Sequence, residues 1–277
     1  MKVQNSQKQL LPPWPSEFPR LLGMSAVAEE AVGYSTEEFL SGRRSNEVFA
    51  GGPQRWADRV EKSGPRTKAF LGKVGLIADE GEVEAYASDS LDAAQAMFNS
   101  TPWCKSSIDC LTRSIVVVKS SGSDYDCSHS DPSIPFSVFF SVPLGSDEVS
   151  TLRLCESILH ETMHLQLTLF EQMVPLISEA GEFRKAFSPW RGEPRLLRGI
   201  LHGTYVFHVI RHWYLELLSR SPRSSASITF MGRRSAEISG ELSQLRNIYR
   251  EAGFTESGRE LIHRLIGSTD QGEWATN

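Results

Sequence analysis

The sequence predicts an α+β fold that is mostly α-helical, with a small antiparallel sheet beside one long helix. Three observations lead to that class. Apolar residues recur at three- and four-residue spacing over most of the 277-residue chain. Two β-branched and aromatic runs, SIVVV at 114–118 and FSVFFSV at 136–142, lie close together in the middle. The stretch 152–169, LRLCESILHETMHLQLTL, then follows with helical periodicity and no internal Pro or Gly.

In chain order, residues 1–20 read as an extended arm, because Pro12, Pro13, Pro15 and Pro19 exclude a regular helix; Trp14 and Phe18 are its anchors. Helical spacing runs over 21–40 and again over 53–74, after a turn at Gly51-Gly52-Pro53 and with a break at Ser63-Gly64-Pro65. An Ala-rich helix is predicted over 82–98. The first segment, 1–110, is thus a helical layer, and the second, 111–277, begins with the two strands, which are predicted to pair in one antiparallel sheet. A loop at 120–135 separates them and carries His129, which reads as a solvent histidine. After the long helix, with Ser150 or Thr151 as its cap, Pro175 and 178–190 form a connection. A further helix starts at Arg195 with Pro194 in its first turn, another covers 225–253, and a short one covers 256–266. With 40% hydrophobic residues, the two segments can share one compact domain.

Charge and composition exclude several classes. A formal charge of -5 with no run of Lys or Arg argues against a nucleic-acid partner. No apolar run reaches 18 residues, so no membrane span is expected, and the N-terminus lacks the apolar core of a signal peptide. The expectation is a cytoplasmic protein; oligomeric state is left open. Cys104, Cys110, Cys127 and Cys155 show no CxxC spacing and read as free thiols, with Cys155 packed as a small hydrophobe.

Chemistry concentrates in His160-Glu161-Thr162-Met163-His164. Residues four apart share a helical face, so two imidazoles meet at one point as a metal would require. Glu161 lies beside that face, as a base toward a metal-bound water or as an orienting group behind a ligand. Downstream, His202, His208 and His212 offer a third ligand. His202 is favoured because Gly203 permits close approach and because Arg195, two turns earlier, would share its face. A guanidinium at Arg195, with Arg198 in reserve, suits a carboxylate clamp. His208 and His212 read as packing residues.

Together these stretches resemble the HExxH-type 2-oxoglutarate-dependent peptide β-hydroxylases of ribosomal peptide biosynthesis. The resemblance rests on the helix around Leu159–Leu165, on SPWRGEPRLLRGILHG, similar to an Arg-Pro-Leu-x-Gly pattern followed by His-Gly, and on the ending FTESGRELIHRL. It covers roughly 113–265 and departs at Leu196, where the family usually has Pro. It implies a mononuclear Fe(II) site held by His160, His164 and His202, with 2-oxoglutarate bound by Arg195 and Arg198, and a precursor peptide as the substrate hydroxylated at a β-carbon. In that chemistry Glu161 orients a ligand or contacts substrate. The competing reading is a zinc metallopeptidase with Glu161 as general base and Glu182 or Glu193 as third ligand. A third is a peptide-binding protein with a structural metal, for which well-placed fourth ligands are lacking.

Overall fold

A computed structural model describes residues 36–40, 55–79, 81, 83–120, 126–134, 136–220 and 223–270. The Pro-rich arm with Trp14 and Phe18, the Gly51-Gly52-Pro53 turn and nearly all of the helix expected at 21–40 lie outside those residues; of the latter, α1 (Thr36–Leu40) is described. The break at Ser63-Gly64-Pro65 separates a 3-10 turn, Trp56–Arg59, from α2 (Pro65–Lys73), with Pro65 in the first turn where its missing N–H costs no hydrogen bond. The Ala-rich helix is α3 (Val83–Phe98). A helix not anticipated, α4 (Pro102–Leu111), follows it and also begins on a proline.

The two sequence-predicted strands are β1 (Ser114–Val117) and β3 (Ser137–Phe140), both fully buried. They run parallel, Ser114 opposite Ser137 through Val117 opposite Phe140. The antiparallel member is a short strand inside the loop, β2 (Ser128–His129), paired to Phe140 and Phe139 of β3. The expectation that the two runs pair antiparallel is therefore corrected. Phe136 takes φ 66 immediately before β3, which lies between β1 and β2 in the sheet.

The long helix is α5 (Glu148–Met173), of 26 residues. Its cap is Asp147, not Ser150 or Thr151: the Asp147 carboxylate accepts from the backbone N–H groups of Val149 and Ser150, satisfying donors that the first turn leaves open. After α5 the expected connection contains half of a hairpin, β4 (Lys185–Ser188) and β5 (Glu193–Leu196), paired antiparallel. Gly192, at φ 68, makes the turn possible, its N–H donating to the Ser188 carbonyl. Pro194 and Arg195 therefore belong to a strand, and α6 (Leu197–Arg220) begins two residues after Arg195. The helix expected at 225–253 ends early as α7 (Ser225–Ser243), and α8 (Glu256–Asp270) closes the described chain.

Helices α5 and α6 pack antiparallel at the centre. The Tyr205 hydroxyl donates to Gln166 and the Tyr214 hydroxyl to Glu156, two rungs that fix their register. A continuous apolar cluster extends from Trp56 through Phe98, Leu159, Trp213 and Met231 to Ile266, so residues of both sequence segments contribute to it. The four cysteines are free thiols, and Cys155 is fully buried against Ala94 and Met97. Among the described residues no helix is long and apolar enough to cross a membrane.

Candidate metal centre

Helix periodicity brings His160 and His164 to one face of α5, and their Nε2 atoms stand 3.1 Å apart. Two nitrogens each about 2.1 Å from one ion are separated by a similar distance. His202 arrives from α6: its ring stacks on His164 with centroids 5.3 Å apart, and the two Nδ1 atoms are 3.1 Å apart. The three predicted ligands are thus brought together. Their donors do not all converge, because His164 presents Nε2 to His160 and Nδ1 to His202. Among the described residues no three His, Cys, Asp or Glu side chains stand in position to hold one ion together.

The other side of His202 carries a residue that the sequence reading missed. Its Nε2 lies 2.9 Å from Oε2 of Glu171, whose side chain is 8% exposed and also accepts from Arg198 at 2.8 Å. A carboxylate can only accept, so with a neutral ring the proton sits on His202 Nε2 and Nδ1 becomes an acceptor. His164 Nδ1–H then donates to it, leaving the His164 Nε2 lone pair facing His160. One signal for Glu171 was present in the sequence. It follows His164 by seven residues, two turns along the same face.

Burial keeps the imidazoles of His160 and His164 neutral. Desolvation lowers the His160 pKa to about 4, with further lowering from the nearby Arg234 and Arg191 charges, and it lowers His164 to about 3. A neutral imidazole has a lone pair to offer a metal, so the donor chemistry of the pair fits an ion.

Glu161 is turned away from the opening. It is buried, and its two oxygens accept from the hydroxyls of Ser128 and Ser130, each at 2.6 Å. Oε1 remains 3.9 Å from His160 Nε2. The serines flank His129 in sequence at the end of β2, and alternation along the extended backbone sends His129 to the opposite face. There it packs between Phe70 and Phe139 with Nε2 buried and unpaired. It is not the solvent histidine that was expected. His208 and His212 do pack, as expected: His208 is buried, and His212 lies against Trp103.

The other predicted positions are more dispersed. Arg195 is in β5 rather than two helical turns before His202, so the shared-face argument fails. It pairs with Glu193 at 3.2 Å and is half-exposed. Arg198 does share the His202 face, four residues earlier on α6, and bonds both Glu171 and Glu182. Glu182 and Glu193, the alternative third ligands, are held by these arginines instead of by the histidines. Gly203 performs a different task from the one expected: a Cβ there would lie 2.1 Å from Cζ2 of Trp190, so the glycine lets the hairpin indole close over α6. Trp190 also meets Phe207 at 5.3 Å.

All three histidines open into a cleft of about 1520 Å³ bounded by α5, α6, α7 and the β4–β5 hairpin. Arg191, Trp190 and Arg234 line it, none of them anticipated; Arg234 is anchored by Glu156 and lies over the Phe207 ring. No model of a known protein family matches the chain, and no curated protein matches it.

Proposed function

We propose that the protein is an Fe(II)/2-oxoglutarate-dependent oxygenase that hydroxylates a side-chain β-carbon of a peptide. The observation that carries this reading is the gathering of three imidazoles at an open, cation-lined cleft while Glu161 is held behind them by Ser128 and Ser130. A hydrolytic general base needs to reach a metal-bound water on the open side. A carboxylate that accepts two serine hydroxyls in a buried position is better suited to orienting its neighbour.

In this reading His160 and His164 would hold the iron through Nε2, and His202, backed by Glu171, would join them by exchanging its Nδ1 contact with His164 for the ion. Bound iron supplies oxidative chemistry in which one atom of dioxygen enters the substrate C–H bond and the other enters succinate, formed from 2-oxoglutarate with loss of carbon dioxide. Arg195 is the more available partner for the far carboxylate of the co-substrate. Its exposed pair with Glu193 is weak enough to be exchanged, whereas Arg198 is committed to two carboxylates. Trp190, laid over Gly203, forms part of the apolar wall of the cleft into which the histidines open.

The test is anaerobic titration with Fe(II) and then 2-oxoglutarate, reading the visible charge-transfer band of the chelate in wild type, Arg195→Ala and His202→Ala. The band is expected in wild type, weakened in Arg195→Ala and lost in His202→Ala. Tight zinc binding with no band, together with peptide hydrolysis abolished by Glu161→Gln, would establish the metallopeptidase instead.

A further inference from the structure

The chain is acidic overall, yet the cleft is lined by six Arg and Lys side chains against four carboxylates. Those four are already committed. Asp126 accepts two hydrogen bonds from Arg153, Glu156 accepts from Arg234, Glu193 pairs with Arg195, and Glu237 lies within ion-pair distance of Arg234. Lys185 and Arg191 face the same cleft and carry no side-chain partner among the described residues. Both belong to the β4–β5 hairpin, Lys185 at the start of β4 and Arg191 in the turn that follows it. They are therefore separated by roughly the length of the strand, about 10 Å, which an extended peptide covers in about three residues.

The size of the cleft points the same way. Small-molecule pockets occupy about 300–1,000 Å³, and at about 1520 Å³ this one has room beyond a co-substrate. Trp190, Phe207 and Phe230 supply apolar wall between the charges, as peptide-binding grooves require.

We propose that the cleft binds an extended acidic peptide segment, with two carboxylates a few residues apart set against Lys185 and Arg191. This deepens the peptide-oxygenase reading and rests on it for the fate of the peptide, but the binding step requires neither iron nor dioxygen. Like-charge segments are rejected by the same cations, so the hairpin selects as well as holds.

The experiment is fluorescence anisotropy of the metal-free full chain with a labelled Glu/Gly/Ser peptide and with its Lys-for-Glu counterpart, at low and at 0.5 M salt. The expected result is saturable binding of the acidic peptide only, weakened at high salt. Affinity should fall at least tenfold in Lys185→Glu/Arg191→Glu and by a smaller factor in Lys185→Ala/Arg191→Ala. Far-ultraviolet circular dichroism verifies the fold of both variants. Equal binding of the two peptides, unchanged affinity in folded variants, or complete displacement of the acidic peptide by 2-oxoglutarate at matched carboxylate concentration overturns the proposal. Because iron is absent, a failed charge-transfer titration with intact acidic-peptide binding removes the oxygenase reading alone.

Discussion

Glu171 and His202, 31 residues apart in sequence, meet across α5 and α6 at 2.9 Å, with Arg198 completing the pair's charge balance at 2.8 Å. The carboxylate selects the proton position on His202, and through the Nδ1 contact it also sets which nitrogen of His164 is free for a ligand. Glu171→Gln keeps an accepting oxygen but loses the charge and introduces an amide donor. Metal affinity is expected to fall tenfold to a hundredfold, as for other partners of ligating histidines, with little loss of helix content. Anaerobic Co(II) titration followed by visible absorption measures it; wild-type affinity would mean that Glu171 does not act through His202.

Ser128 and Ser130 are the hydroxyl donors to a buried Glu161. Removing both as Ser128→Ala/Ser130→Ala leaves that carboxylate without two partners, at a cost of about 1–3 kcal/mol for each donor. The expected outcome is a lower urea midpoint with an unchanged slope. Adding Glu161→Gln should recover part of the loss, since an amide buries at less cost than an unpaired carboxylate.

Gly203→Ala places a methyl 2.1 Å from the Trp190 ring, which must then lift from α6. Overpacking of this kind costs about 1–3 kcal/mol, and the indole emission of Trp190 should shift to the red as it becomes wetter. In a Trp190→Ala background the same substitution should cost far less. A double-mutant cycle on melting temperature reads the coupling directly.

His208 is buried beneath α8, its pKa lowered to about 3 by desolvation first and then by the neighbouring His212 and Arg211, with a backbone contact to Leu265 acting the other way. Its folded pKa is below the ordinary 6.5, so the unfolded chain takes up the proton first. The stability is complete above pH 6.5 and is lost as pH falls from there toward 3. At pH 5 this group alone should cost about 2 kcal/mol relative to pH 7.5. His208→Leu should flatten that part of the pH profile measured by chemical denaturation, and an unchanged profile would assign acid sensitivity elsewhere.

The elements legible from sequence are those whose information is local. The run of Leu and Ile around His160 specifies a helix, and the four-residue spacing puts His160 and His164 on one face without reference to any other part of the chain. β1 and β3 were readable because β-branched residues favour an extended backbone. Their parallel pairing was not, because β2, the strand that provides the antiparallel edge, is two residues long and carries no run of its own. Arg195 was misplaced because a helical spacing of apolar residues continues backward into β5. Only the turn at Ser188–Gly192, closed against β4, shows that the backbone there is extended.

What the sequence by itself determined is the paired imidazole motif and the helix that presents it, since helical geometry converts spacing into position within one element. Tertiary structure alone decided that His202 reaches that pair, that Glu171 stands behind it, that Ser128 and Ser130 occupy Glu161, and that Lys185 and Arg191 face the cleft without a side-chain partner among the described residues. Those relationships depend on the packing of α5 against α6 and on the fold of the β4–β5 hairpin over them. Contacts between elements are set by burial and register over the whole domain, and no local spacing encodes them.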